Sequence, residues 1–132
     1  KEHNVTYFPT IAAVDVISQY RGWVKGKTPE PERVTIKKKS LKDALASGVT
    51  IGMGGDVGVY PHGENVLEME LMVEYGMPVM DVLKAATSVN AKAFHLENEV
   101  GFVKRGLKAD LVIVSGDPSK NISDLRKVKM VM

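Results

Sequence analysis

The residues best suited to chemistry lie in one glycine-rich stretch, IGMGGDVGVYPHGE, at positions 51–64. Asp56 follows a Gly-Gly pair, and His62 comes six residues later. A carboxylate in such a setting can bind a metal, act as a general base, or do both. An aspartate after glycines is also a common turn former or helix cap, so the residues alone leave these interpretations open. His62 could contact a substrate carboxylate, orient Asp56, or be solvated in a loop.

No recognisable metal-binding spacing accompanies Asp56. The three histidines are His3, His62 and His95, and they form no HxH, HxxH or HExxH motif. Because a catalytic zinc usually has three protein ligands, Asp56 alone does not indicate a metal site. His95 is expected on a helix, in a structural or surface role. The sequence also lacks GxSxG, P-loop and GxGxxG motifs.

The elements around this stretch are predicted to alternate between strands and helices. VTYFPT, at 5–10, has the composition of a strand, and VTIGM, at 49–53, predicts a buried strand directly before Asp56. Such alternation indicates parallel βαβ units, whose functional groups gather at the carboxyl ends of the strands. The glycines before Asp56 allow a sharp turn and the close approach of another group. Apolar spacing predicts helices at 11–20 and at 34–48, the latter firmest from Ser40 onward and ended by a left-handed Gly48. It also predicts helices at 65–76 and from Pro78 to His95, with a break at Thr87 or Ser88.

The character of the sequence changes after about Asn98. Glycines punctuate this part, and DLVIVS and VKMVM predict two short strands. Because a parallel sheet needs neighbours and cover on both faces, the whole pattern favours part of a larger sheet or barrel over a complete domain.

The bulk composition excludes several classes of protein. The chain has 132 residues, 44% hydrophobic and 26% charged, which is typical of one soluble globular domain. A net charge of +2 without rows of aromatics does not indicate nucleic-acid binding, and Lys37–Lys39 are expected on a solvated helix face or loop. No 18-residue apolar run indicates a membrane helix. The absence of cysteine excludes disulfides within the chain and thiolate metal sites, and the cytoplasm is the favoured compartment.

Three segments together resemble the carboxyl-terminal third of the amidohydrolase superfamily. They are GVTIGMGGDVGVYPHGEN, MPVMDVLKAATSVNAKAFHL and GFVKRGLKADLVIVSGDP. The loop DVGVYPHGEN is most similar to the group of Xaa-Pro dipeptidases, arginine carboxypeptidases and imidazolonepropionase-like amidohydrolases. The resemblance implies an α/β fold: residues 1–98 as the carboxyl-terminal portion of a (β/α)8 TIM barrel, about its seventh and eighth strands with their helices, and residues 99–132 as strands of a small flanking β-sandwich.

The resemblance also implies a metal-dependent hydrolase that acts on C–N bonds of amides or peptides, dipeptides included. Asp56 matches an aspartate that binds the metal and carries a proton from the metal-bound water to the leaving nitrogen. One or two divalent metals, zinc first, are the implied cofactor, with His62 and Tyr60 as candidates to contact the substrate's carboxylate. The family's other ligands have no counterpart in this sequence, so we expect a fragment that is inactive alone and binds metal weakly or not at all.

Two alternatives stay open at this point. The chain could be a non-catalytic structural fragment that self-associates through open strand edges and apolar helix faces. It could also belong to a deaminase of the same superfamily. The expected partners are a small peptide or amide substrate and further copies of the chain in a homo-oligomer, with no nucleic acid and no membrane.

Overall fold

The computed structural model describes residues 5–132, so His3 lies outside the described part. Four strands and five α-helices occur within that range. The strands are β1 (Thr6–Tyr7), β2 (Thr50–Ile51), β3 (Val112–Val114) and β4 (Val128–Val131). The helices are α1 (Ile11–Tyr20), α2 (Glu32–Ala46), α3 (Val66–Glu74), α4 (Val79–Lys84) and α5 (Asn90–Ala93). A π-helical turn, Ala85–Val89, joins α4 to α5, and a 3-10 turn, Ile122–Arg126, precedes β4.

Strands β1 and β2 form a parallel pair, with Thr6 opposite Thr50 and Tyr7 opposite Ile51. Helices α1 and α2 make the connection between them, as a parallel pair requires. The strands predicted at 5–10 and 49–53 are therefore confirmed, although only two residues of each are paired. The carboxyl ends of both strands meet at one edge, and the Asp56 loop begins there.

The core lies between the helices and the parallel pair. Leu41, Met72 and Val82 are fully buried within it, and Ile11 and Ile51 are nearly so. These residues come from α2, α3, α4, α1 and β2, so the apolar stripes of four helices join the short sheet in one core. Burial of this kind is the main favourable term in folding.

Strands β3 and β4 form a separate antiparallel pair with an irregularity between Ile113 and Val114. This pair confirms the two strands predicted after Asn98. All four residues of β4 are exposed. The 3-10 turn before β4 carries Ile122, which is 6% exposed and belongs to the main core. The turn, rather than the strands, therefore attaches this part to the rest of the molecule.

Helix α2 begins at Glu32, two residues before the helix predicted from Val34, and it is regular well before Ser40. Pro31 precedes it in an extended conformation, and its carbonyl accepts from the backbone N–H of Val34 at 2.9 Å. Proline is well suited to a helix start because its missing N–H needs no partner there. Lys37–Lys39 therefore lie on a helix.

The predicted helix break at Thr87 or Ser88 is wrong. The chain continues through the π-helical turn, where the Thr87 hydroxyl donates to the Leu83 carbonyl at 2.7 Å. A threonine that bonds back to the preceding turn does not act as a cap.

His95 was expected on a helix, but α5 ends at Ala93 and His95 adopts a left-handed φ of 59°. Its N–H bonds the Lys92 carbonyl and the next N–H bonds the Ala91 carbonyl, which is the Schellman arrangement. Gly48, with φ of 64°, ends α2 in the same way, as predicted. No helix of residues 5–132 is long and apolar enough to cross a membrane.

Candidate functional site

Asp56 lies in the loop that follows β2, at the carboxyl edge of the parallel pair. Its side chain is exposed and its backbone is left-handed, with φ of 58°. Aspartate tolerates this conformation better than most residues, but it is still uncommon outside glycine. The surrounding loop therefore has to hold Asp56 in this position.

Two glycines before Asp56 lie against side chains of the chain itself. A Cβ at Gly52 would lie 2.4 Å from Cε1 of Phe8, and one at Gly55 would lie 2.2 Å from the hydroxyl of Tyr60. The close approach predicted for this stretch is thus made by Phe8 and Tyr60. Neither glycine has room for a side chain unless these neighbours move.

The start of the loop is fixed by the Asn90 side chain. Its Oδ1 accepts from the backbone N–H of Met53 at 3.1 Å, and its Nδ2 donates to the Met53 carbonyl at 2.7 Å. One amide side chain thus bonds both backbone groups of a residue just past β2, as a neighbouring strand would. This bond pair connects α5 directly to the loop that carries Asp56.

The structure places the two other predicted site residues at different depths. His62 is exposed, whereas Tyr60 is only 3% exposed. The Tyr60 hydroxyl has no hydrogen-bond partner among the residues that the structure describes. Burial raises the pKa of Tyr60, and the negative charges of Glu68 and Asp56 raise it further. Asp56 and His62 therefore lie on the open side of the loop, with Tyr60 beneath it.

Glu68 is a buried carboxylate that the sequence-based interpretation did not place in the site. It is fully buried on α3, and its two oxygens accept from the backbone N–H groups of Ile11 at 3.0 Å and Ala12 at 2.6 Å. Burial raises the pKa of Glu68, while these two N–H groups and the charge of Lys37 partly oppose the rise. The carboxylate therefore caps the first turn of α1.

A signal for Glu68 was present in the sequence. Leu71 and Met72 follow it by three and four residues, so all three share one face of α3. That face is the buried one, and a charged residue on a buried face needs a partner.

The described residues do not by themselves fit a catalytic metal. Within residues 5–132, no three or more histidine, aspartate or glutamate side chains gather closely enough to hold an ion. Asp56 offers one exposed carboxylate, and catalytic zinc sites use three protein ligands. Any further ligands would have to come from outside the described residues.

A cavity among the described residues lies away from the Asp56 loop. It is an open cavity of about 830 Å³ along β1, β2 and the segment from Ser88 to Phe102. Phe8, Thr50 and His95 are among its lining residues, whereas Asp56, Tyr60 and His62 are not. The cavity and the Asp56 loop are therefore separate features of the surface.

A mixed α/β chain with an aspartate at the carboxyl edge of parallel strands is the arrangement of many hydrolases built on parallel sheets. All of residues 1–132 match the family described as the Amidohydrolase family. The chain therefore belongs to the amidohydrolase family, which confirms the resemblance found in the sequence. A comparison with curated proteins found no match.

Three solved structures illustrate the likeness. A Xaa-Pro dipeptidase with methionine bound in its active site is 34% identical with a TM-score of 0.84, covering 99% of this chain and 34% of that one. A putative prolidase from Bifidobacterium longum is 26% identical with a TM-score of 0.81, covering 96% and 33%. Ochratoxinase from A. niger, at 24% identity and a TM-score of 0.78 over 98% and 31%, shares the fold. The chain spans about a third of the length of these proteins.

Proposed function

We propose that the chain forms part of a hydrolase that cleaves C–N bonds in small peptides or amides. The family match over the whole chain supports the reaction class, and the 34% identical Xaa-Pro dipeptidase supports a peptide substrate. In this proposal β1 and β2 are the seventh and eighth strands of a (β/α)8 barrel within residues 1–98. Strands β3 and β4 then belong to a flanking β-sandwich within residues 99–132.

The position of Asp56 is the observation that carries the proposal. Its exposed carboxylate lies just past β2, at the edge where parallel α/β enzymes place their reacting groups. Asp56 accepts a proton from the attacking water as the oxygen adds to the carbonyl carbon. It then returns that proton to the nitrogen as the C–N bond breaks, so the same carboxylate is base and then acid.

His62 and Tyr60 are proposed to act around this carboxylate. His62 is exposed on the same loop and can donate to a carboxylate at one end of a small peptide. Substrate contact by Tyr60 stays a prediction, and the burial of its hydroxyl favours support of the loop. One or two divalent metals with Asp56 as a ligand also stay a prediction, because the described residues supply no complete ligand set.

The test is Asp56→Asn in an active protein that contains this chain. Since general acid–base catalysis contributes about 10²–10⁴-fold, we expect kcat for Xaa-Pro dipeptides to fall by at least about 100-fold with little change in folding. The matched control is His62→Asn, which we expect to raise KM more than it lowers kcat. Near-normal turnover in Asp56→Asn would refute the role. If the protein prefers to deaminate a ring amidine, the deaminase alternative is favoured.

Self-association is the second candidate, and one observation favours it. Exposed apolar side chains lie at the open cavity: Val5 and Phe102 line it and are 69% and 57% exposed. Phe94 is 62% exposed and packs against Phe8, which also lines the cavity. Contiguous apolar surface of this kind often marks an association surface. Size-exclusion chromatography with light scattering on the 132-residue chain should then show dimers or larger species. A monomer that retains one metal ion per chain would contradict it.

A further inference from the structure

The two parallel strands end in the same unusual way. Thr10 follows β1 with φ of 46°, and Asp56 follows β2 with φ of 58°. A residue other than glycine costs about 1–2 kcal/mol in this conformation, so it persists where neighbouring groups hold it. Glu68 lies beside both strand ends.

On the β1 side, Glu68 holds the two residues that follow Thr10. Its carboxylate accepts both backbone N–H groups of Ile11 and Ala12, which have no partner within their own helix. Lys37 approaches from α2, and its Nζ donates to the Pro9 carbonyl at 2.6 Å. The turn from Pro9 to Ala12 is thus fixed by α2 and α3 together.

On the β2 side, Glu68 lies next to the residue that precedes Asp56. Gly55 is buried, and a Cβ added to it would lie 3.4 Å from Cβ of Glu68 and 2.2 Å from the Tyr60 hydroxyl. Gly55 therefore lies between the Glu68 stem and the Tyr60 ring. A shift of either neighbour changes the space available to the backbone on which Asp56 stands.

We propose that Glu68 is a positioning residue for Asp56, with Tyr60 as a second support on the other side of Gly55. Glu68 ties the end of β1 to the loop after β2 and so sets where the Asp56 backbone lies relative to that strand end. This inference rests on the proposed role of Asp56 for its meaning in catalysis. Glu68 itself is buried and does not reach the exposed side of the loop.

The first experiment uses the 132-residue chain with Glu68→Gln, which keeps the shape but replaces one acceptor with an NH2 group. We expect backbone amide resonances to shift by more than a linewidth at Ile11 and Ala12 and also at residues 55–57. The matched control is Glu74→Gln on the same helix, which loses an exposed pair with Lys25. We expect the control to leave both segments unchanged. Shifts confined to Ile11 and Ala12 in a folded Glu68→Gln chain would overturn the proposal.

The second experiment changes the Asp56 loop and observes the end of β1, and it does not depend on whether Glu68→Gln folds. Gly55→Ala forces a methyl group against Tyr60, and its backbone needs no left-handed conformation. We expect the amide resonances of Ile11 and Ala12 to move, because coupling between two sites is reciprocal. Adding Tyr60→Phe removes the clashing hydroxyl and should return them toward their original positions. If the Ile11 and Ala12 resonances do not move in Gly55→Ala, the proposal is wrong.

These readouts do not involve catalysis. If Asp56→Asn retains activity while the two segments shift together, the proposed function fails and the coupling stands. If Asp56→Asn is inactive while the segments shift independently, the positioning role of Glu68 fails alone.

Discussion

The two strand pairs of this molecule are held in place by different means. The parallel pair β1–β2 has only two paired residues in each strand, yet it shares one core with four helices and Ile51 is 5% exposed. The antiparallel pair β3–β4 is longer, yet every residue of β4 is exposed. Because an intramolecular hydrogen bond replaces one to water, strand pairing contributes little unless the side chains are also buried. We therefore expect the first region to determine the stability of the chain.

The β3–β4 region is attached through its 3-10 turn, by Ile122 in the main core and by polar contacts around it. Asp124 accepts from the backbone N–H of Asp117 at 2.8 Å and from Nζ of Lys127 at 2.7 Å. Arg126 bonds Glu70 on α3 through two nitrogens, at 2.8 and 2.7 Å, and Glu64 at the end of the Asp56 loop at 2.5 Å. Ion pairs of this kind weaken as the salt concentration rises, whereas apolar packing of the kind found in the first region is not screened by salt.

The largest effect should come from the helical core. Leu41 on α2 is 0% exposed to solvent, so Leu41→Ala should lower the free energy of unfolding by about 2–5 kcal/mol. The control is Ile36→Ala on the same helix, where the side chain is 58% exposed and the loss should stay within about 0.5 kcal/mol. Urea unfolding followed by circular dichroism measures both. Equal losses would contradict the claim that burial in the helical core stabilises the first region.

The next largest effect should come from the contact between the two regions at Gly101. A Cβ there would lie 2.7 Å from Cβ of Ala91 and 3.2 Å from Cα of Ser88, and φ is +99°. Gly101→Ala should therefore lose about 1–3 kcal/mol, from both the backbone and the overpacking. Gly106→Ala is the control, since Gly106 has φ of +96° but nothing within 4 Å.

The comparison of these two glycine variants isolates the packing term. If Gly106→Ala loses as much unfolding free energy as Gly101→Ala in the same experiment, the positive φ of the backbone explains both losses. The segment after Asn98 would then add nothing measurable through its packing against α5 and the π-helical turn.

Sequence patterns predicted the elements better than their ends. Runs of β-branched and apolar residues predicted the strands before α1 and after α2. Gly48 was predicted to end α2 because glycine readily adopts the left-handed conformation found at helix ends. His95 ends α5 in the same conformation, and no propensity marks a histidine for that place. At Thr87 the helix does not break but continues through a π-helical turn, and Asn90, directly after this turn, bonds Met53 in a distant part of the chain.

The sequence predicted that Asp56 follows a strand, but it did not predict the residues that surround the Asp56 loop. Asp56 followed from the glycine-rich stretch after a strand, because local sequence fixes both the turn and its place at the strand end. The burial of Tyr60 and the capping of α1 by Glu68 could not follow in this way. Both depend on how α3 packs against α1, and the sequence spacing of Glu68 and Ile11 does not determine that contact.

A smaller effect on stability should depend on pH, with opposite signs in the two regions. The Ser119 hydroxyl and then Lys120 lower the pKa of Asp117 from 3.8 to about 2. Its stabilising contribution is therefore present above the ordinary pKa and is lost as the pH falls toward about 2. Glu68 has the opposite sign, because burial raises its pKa and the stability linked to its protonated form is lost as the pH rises.

Thermal unfolding of the chain and of Asp117→Asn between about pH 2 and about pH 6 measures this contribution. The wild-type chain should unfold at a slightly higher temperature above about pH 4, and the gap should close near pH 2. A gap that widens as the pH falls would show that the Asp117 carboxylate is not the stabilising form.

The smallest effect should come from Arg126→Gln, although Arg126 makes the most ion pairs of any described residue in the β3–β4 region. Its contacts with Glu64 and Glu70 are partly exposed, so the loss should be below about 1 kcal/mol. The loss should shrink between about 0.1 M and about 1 M salt, as the screening length falls from about 10 Å to about 3 Å. Lys25→Gln, which removes one exposed pair with Glu74, is the control for a simple surface contact. A larger, salt-resistant loss in Arg126→Gln would mean that the β3–β4 region holds the end of the Asp56 loop, and the two regions would then share the positioning of the candidate site.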